Sequence, residues 1–297
     1  KIKKTRYHFN KFMIDFHDFR HKKKENNSIS HFVKKLKKKS DLIYLDEFQV
    51  TNIVDAMILG KLFEEIFLEN IKIQTNVIEA ALSEGVRRLL FLGSSCIYPK
   101  YSPQPIKEDY LLSDTLEPTN QWYAIAKISG IKSCEAIKKQ FKKDYISLMP
   151  TNLYGYNDNF DLKTSHVIPA MIRKFHEAKA QNKPAVELWG DGSPMREFLY
   201  ADDLANALVY LMLNYNEKQF VNVGYGSDVT IKELAKKVSE VIGFKGGINW
   251  DSTKPNGTPR KLMDSSKLFN TGWKPKVNLE EGIRMAYEEF LKLENQV

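Results

Sequence analysis

Arg88-Leu-Leu-Phe-Leu-Gly-Ser-Ser-Cys-Ile-Tyr-Pro99, followed across a polar loop by Glu117-Pro-Thr-Asn-Gln-Trp-Tyr-Ala-Ile-Ala-Lys-Ile-Ser-Gly-Ile-Lys132, is the stretch around which the chain is organised. The apolar run from Leu89 to Leu92 breaks into the small residues Gly93, Ser94 and Ser95. That is the pattern of a buried parallel strand whose carboxyl end opens onto a site. The second part has helical spacing, and Tyr123 and Lys127, four residues apart, share one face. A hydroxyl at a strand end, beside a Tyr and a Lys on the next helix, suits proton-coupled chemistry at a carbonyl. The Tyr-x-x-x-Lys spacing is weak alone. In a chain with 14 tyrosines and 45 Lys and Arg it also falls on Tyr7 and Lys11, where nothing marks a site. Ser94, directly after the strand, lifts Tyr123 and Lys127 above chance.

Composition bounds the answer. At 297 residues, 42% hydrophobic and 28% charged, the chain can hold one large domain or two ordinary ones around a sizeable core. No apolar run is long enough to span a bilayer, and no signal-peptide core opens the chain. Cys96 and Cys134 make no disulfide framework, so the expected setting is reducing and cytoplasmic. The formal charge of +8 is lopsided: residues 1–40 hold 12 Lys and 2 Arg against 2 Asp and 1 Glu, and the remainder sums to −3. The basic end reads either as a solvated lysine-rich surface or as a contact for nucleic acid or an anionic surface.

Beyond Lys132, strand-like and helix-like stretches alternate. Residues 144–149, 186–189 and 220–223 read as strands; 170–181, 204–213, 230–242 (Thr230 as N-cap) and 279–293 read as helices. Residues 257–262 read as a loop. The alternation predicts an α/β fold with a mainly parallel sheet.

Five strings carry a resemblance: Gly93-Ser-Ser-Cys-Ile-Tyr-Pro99, Leu116-Glu-Pro-Thr-Asn120, Tyr123-Ala-Ile-Ala-Lys-Ile-Ser-Gly-Ile-Lys132, Pro150-Thr-Asn-Leu-Tyr-Gly155 and Trp189-Gly-Asp-Gly-Ser-Pro-Met-Arg-Glu-Phe198. Residues 69–297 resemble the extended short-chain dehydrogenase/reductases and, within them, the GDP-L-fucose synthases. The resemblance implies a truncated Rossmann-like, mainly parallel sheet with a smaller substrate-binding α/β region. Residues 68–160 would form the partial dinucleotide-binding domain, and 161–297 the remainder of the sheet with the nucleotide-sugar-binding domain. The implied activity is both oxidoreductase and isomerase: 3,5-epimerisation, then NADPH-dependent 4-reduction, of GDP-4-keto-6-deoxy-D-mannose. NADP(H) would be the cofactor, a GDP-sugar the substrate and a homodimer the assembly, with no metal.

The same resemblance assigns roles. Ser94 would hold the carbonyl oxygen and Tyr123 would protonate it. Lys127 would favour the phenolate of a group whose free pKa is near 10, and would reach the nicotinamide ribose. Pro150, Asn152, Leu153 and His166 would join Tyr123 and Lys127 around the cofactor. A ketone acidifies both flanking carbons, so Cys96 as base and His166 as acid would invert them through an enolate. Arg196 and Lys261 would meet the diphosphate, and Asn152, Lys174 and Trp189 would line the GDP-sugar pocket. Lys174 stands where the resemblance implies an arginine; it keeps the charge and loses the planar fork. Cys134 reads as core. Two alternatives stay open: another NAD(P)-dependent nucleotide-sugar epimerase or dehydratase, and a non-catalytic fusion product that binds GDP-sugar.

Residues 1–67 do not fit this pattern. The chain opens on Lys, as expected of a fragment or a processed chain. Asp41-Leu-Ile-Tyr-Leu-Asp-Glu-Phe48 is an apolar run ending in Asp46-Glu47, the Walker B arrangement. With the string that follows, residues 3–67 resemble AAA-type ATPases. No G-x-x-x-x-G-K-[ST] cradle accompanies it, so ATPase activity is not expected and an interaction segment is the alternative. The first glycine is Gly60. The G-x-x-G-x-x-G turn that receives a dinucleotide pyrophosphate therefore cannot lie upstream of it. Gly190-Asp-Gly192 and Gly224-Tyr-Gly226 lack the third glycine and read as loop turns. The expectation is a fusion near residue 68 that impairs cofactor binding, with residues 42–45 completing the sheet beside 89–92.

Overall fold

Where the apolar runs end in small or polar residues, strands form. The computed structural model describes residues 53–294 apart from 119, 163, 218 and 255, together with two short strands nearer the start, and describes side chains from residue 67 onward. Asp46 and Glu47 lie outside the described residues.

The two early strands, β1 (Lys4–Tyr7) and β2 (Leu42–Leu45), pair with each other in parallel, Lys4 opposite Leu42. This corrects the expectation that residues 42–45 lie beside 89–92. An open strand edge needs a partner, and here the partner comes from the same ATPase-like segment. A 31-residue helix follows, α1 (Ile53–Ser83), and the expected boundary at residue 68 falls inside it. No proline interrupts that span, and Gly60 is its single glycine.

The organising stretch forms β3 (Arg88–Leu92), a one-turn 3-10 helix (Ser95–Ile97) and α2 (Gln121–Phe141). Then come β4 (Asp144–Pro150), β5 (Asn152–Tyr154), α3 (Val167–Ala180), β6 (Ala185–Trp189), β7 (Met195–Tyr200), α4 (Ala201–Asn214), β8 (Val221–Val223) and β9 (Asp228–Thr230). The chain continues through α5 (Ile231–Ile242), β10 (Gly247–Asp251), β11 (Arg260–Lys261), α6 (Ser266–Asn270) and α7 (Leu279–Glu294). One sheet has the order β3-β4-β8; another runs β11-β7-β5 with β9 on β7, and β10 pairs with β6. Every described pairing is parallel except β7 with β9.

Helix starts differ from expectation for a local reason. The third helix begins three residues earlier than its pattern suggested and carries Pro169 in its first turn. There a missing N–H costs nothing, so the proline does not delay the helix. Thr230 caps α5 as expected, accepting from Glu233 N at 3.0 Å while Glu233 Oε2 accepts from Thr230 N at 2.8 Å. Strands β5, β9 and β11 are two or three residues long, too short to show a period.

Helix α2 contacts α1, β3 and β4, and Ile78 of α1 also packs against Tyr145 of β4. Gln74 on α1 is buried and donates to the Ala126 carbonyl at 2.6 Å, locking the two helices in register. Cys134 packs with Ile78 and Tyr145, so it is core as read. Among the described residues, no helix is long and apolar enough to cross a membrane.

Candidate active site

Because β3 and β4 are parallel, their carboxyl ends emerge at the same edge. Gly93 N continues the ladder by donating to the Leu148 carbonyl at 2.8 Å. A Cβ at Gly93 would collide with the end of the Met149 side chain, so a larger residue there would have to displace that buried thioether. The next residue, Ser94, is buried and extended, and its Oγ accepts from Cys96 N at 3.2 Å. That bond turns the chain into the 3-10 helix and places Cys96 two residues beyond Ser94 at the same strand end.

Tyr123 and Lys127 reach this edge from α2. Lys127 Nζ donates to the Leu92 carbonyl at 2.8 Å and lies 5.7 Å from the centre of the Tyr123 ring. The ammonium therefore bridges the end of β3 and the Tyr ring, within two residues of Ser94. Tyr123 is 6% exposed, so the phenol works in a largely desolvated corner. Pro150 ends β4, and Asn152 and Leu153 open β5. Asn152 Nδ2 donates to the Glu197 carbonyl at 2.8 Å, tying this edge to β7.

A cleft beside the strand end is lined by Cys96, Asn120, Arg260 and Lys261, among others. Lys261 Nζ contacts Cys96 Sγ at 3.4 Å. Lys261 is the register partner of Arg196, so the two cations point to the same face of adjacent strands. Burial pushes the Arg196 guanidinium below its ordinary range, the cost of holding a cation where an anion could balance it.

Lys174, Trp189 and His166 are not among the residues that line that cleft. Lys174 Nζ donates to the Glu187 carbonyl at 3.1 Å, and burial pulls its ammonium down. Trp189 is 53% exposed at the end of β6, with Lys254 Nζ 5.6 Å from its ring centre. These two share the β6 corner. His166 is the N-cap residue of α3, with its side chain not used for capping, and is not among the residues lining the Cys96 cleft.

Glu197 is a residue the motif reading passed over, though it sits beside Arg196 in Met195-Arg-Glu-Phe198. It is fully buried, accepting from Gly226 N at 2.7 Å and Met263 N at 3.3 Å. Gly224 packs so tightly on the carboxyl that any Cβ there would clash with it. Burial raises this carboxyl from 4.5 to about 7, with the backbone donors pulling the other way. A raised carboxyl contributes stability that is full below the unfolded value and is lost as pH rises to the folded one. Unfolding free energy should thus fall by on the order of 3 kcal/mol between pH 4.5 and 7. Glu197→Gln should flatten that slope in urea titrations at pH 5 and 7.5; an unchanged slope would remove Glu197 as its source.

The donors at the β3/β4 edge (Tyr123 hydroxyl, Lys127 ammonium, Asn152 amide) match the ribose and carboxamide of a nicotinamide. The pyrophosphate half does not fit: no G-x-x-G-x-x-G occurs anywhere in the chain.

Two family models match. Residues 61–224 match the NAD dependent epimerase/dehydratase family, and residues 1–92 match the AFG1-like ATPase family, so 61–92 is common to both. GDP-L-fucose synthase 1 of Arabidopsis thaliana is 60% identical over 223 residues, covering 75% of this chain and 69% of that protein. GDP-L-fucose synthase of Escherichia coli (strain K12) is 52% identical over 237 residues, covering 77% and 73%. A solved structure of a GDP-D-glycero-L-gluco-heptose synthase from Campylobacter jejuni, in the presence of NADPH, is 32% identical with a TM-score of 0.76, covering 87% of this chain and 85% of that one. With the Ser, Tyr and Lys gathered at one strand edge of a mainly parallel sheet, these matches lead to one conclusion: the chain belongs to the NAD dependent epimerase/dehydratase family.

Proposed function

We propose that this chain carries the catalytic apparatus of a GDP-L-fucose synthase, which epimerises GDP-4-keto-6-deoxy-D-mannose at C3 and C5 and reduces it at C4 with NADPH. The observation that supports it most is the Lys127 ammonium held on the Leu92 carbonyl, under Tyr123 and two residues before Ser94. A nicotinamide cofactor, when bound, supplies the hydride. Ser94 and Tyr123 hold the carbonyl oxygen, and Tyr123 delivers the proton as charge builds there. Lys127 favours the phenolate left behind and reaches the ribose, with Pro150, Asn152, Leu153 and His166 completing the nicotinamide end. Arg196 and Lys261 meet the diphosphate, and Lys174 and Trp189 the rest of the GDP-sugar. Residues 1–67 form an ATPase-derived segment, 68–160 the partial dinucleotide domain and 161–297 the remainder. The enzyme is cytoplasmic and homodimeric in this reading.

For epimerisation, Cys96 takes the proton beside the ketone, and His166 returns one from the other face. The C–H bond breaks, an S–H bond forms, and the electron pair moves onto the oxygen held by Ser94 and Tyr123. The test uses a chimera in which the N-terminal segment of the 60% identical Arabidopsis relative precedes residue 69. In D2O, Cys96→Ser should slow deuterium incorporation into the ketosugar about a hundredfold. His166→Gln should slow it far less, because the acid acts only after an enolate exists. Normal exchange by Cys96→Ser would return Cys96 to the core and leave reduction alone as the function.

A further inference from the structure

The contact between Lys261 and Cys96 joins residues 165 positions apart, and two sets of bonds pin it. On one side β11 is fixed to β7, with Arg260 opposite Met195 and Lys261 opposite Arg196. On the other, Ile106 N donates to the Leu262 carbonyl at 2.7 Å and Leu262 N donates to Gln104 Oε1 at 2.8 Å. Lys261 is thus delivered to the 3-10 turn by backbone on both flanks, and Cys96 is fixed there by its own bond to Ser94.

The other charged groups around the cleft are engaged elsewhere. Lys100 is paired with Glu117 at 2.8 Å, and Arg260 with Asp228 at 2.6 Å. The Tyr98 hydroxyl donates to Asn222. From α2, Lys127 is turned to the Leu92 carbonyl, next to Tyr123. Among the described residues, Lys261 makes no salt bridge to a carboxylate, and its ammonium contacts the sulfur at 3.4 Å instead. Cys96 itself is 5% exposed, so water does little to support a charge on it.

We propose that Lys261 is a positioning residue for Cys96: its ammonium, donating to the sulfur, holds it in place to accept the proton that epimerisation removes. A thiol cannot accept that proton, and a neighbouring ammonium is an established way to populate the thiolate near neutral pH. Because the sulfur must be held while substrate is bound, Lys261 stays on Cys96 during proton removal and leaves the larger part of the diphosphate contact to Arg196, its register partner on the adjacent strand. The inference rests on the epimerase reading of Cys96, but it is tested without substrate or cofactor.

The 297-residue chain is treated with iodoacetamide across pH 6–9.5, and alkylation at each cysteine is followed by peptide mass spectrometry. Cys134 is the internal control, because burial pushes its thiol up to about 11 and it should stay silent while the chain is folded. At pH 7 Lys261→Met should slow Cys96 alkylation about tenfold, and the rates should converge to within about twofold at pH 9.5, where thiolate forms without help. Lys261→Arg should restore most of the rate. If Lys261→Met exposes Cys134, Lys261→Gln is read in its place. Equal rates at pH 7, or the same slowing at both pH values, would overturn the proposal. Failure of ketosugar turnover in the chimera, with the alkylation result intact, would count against the epimerase reading alone.

Discussion

Tyr123→Phe, in the chimera that carries the relative's N-terminal segment, should lower kcat for ketone reduction about a thousandfold while GDP-sugar Kd stays within about twofold. The loss corresponds to roughly 4 kcal/mol of transition-state stabilisation. The substitution removes one oxygen and leaves the ring, so the packing at this 6% exposed position is kept. Lys127 keeps its bond to the Leu92 carbonyl and stays over an aromatic face. What disappears is the proton that must reach the carbonyl oxygen as hydride arrives, and neither Ser94 nor water in a buried corner supplies it as well. A kcat within tenfold of the parent would remove Tyr123 from the role of acid. A matched loss of GDP-sugar binding would mean the phenol holds substrate rather than protonating it.

How much of this was legible in the sequence depends on whether the signal was local. The β3 edge was legible because a strand, a small-residue break and a helix with Tyr and Lys one turn apart all fall within 45 residues. Thr230 was legible as a cap because Glu233 follows it three residues later. The contact of Lys261 with Cys96 left no local trace. It depends on a two-residue strand meeting β7 and on Ile106 meeting Leu262, neither of which has a period to read. Glu197 was hidden for another reason: beside Arg196 it looks like a solvated partner, whereas it is sealed under the Gly224–Gly226 turn. The pairing of β2 was misjudged because an apolar run announces that it needs a neighbour but not which one.

That last point bears on cofactor binding by the 297-residue chain, which should be at least about a hundredfold weaker for NADPH than in the chimera, a loss of roughly 2.7 kcal/mol. In the proposed reading half of the dinucleotide would meet Tyr123, Lys127 and Asn152 at the β3/β4 edge, where Lys127 and Asn152 are held by hydrogen bonds and the Tyr123 ring lies against the Lys127 ammonium. The pyrophosphate half needs bare backbone amides at a helix N-terminus, reached through a turn where only glycine allows close approach. Residues 1–59 contain no glycine, and the ATPase-like β2 pairs with β1 instead of extending the β3 sheet. Lysines are abundant in that segment, yet flexible point charges replace a preorganised amide nest poorly, and salt screens them. Titration of NADPH fluorescence at two ionic strengths would decide between the accounts. Weak binding at both supports loss of the amide cradle. Micromolar binding that collapses with salt would show that the basic residues 1–40 have built a phosphate site of their own, and the predicted impairment would be wrong.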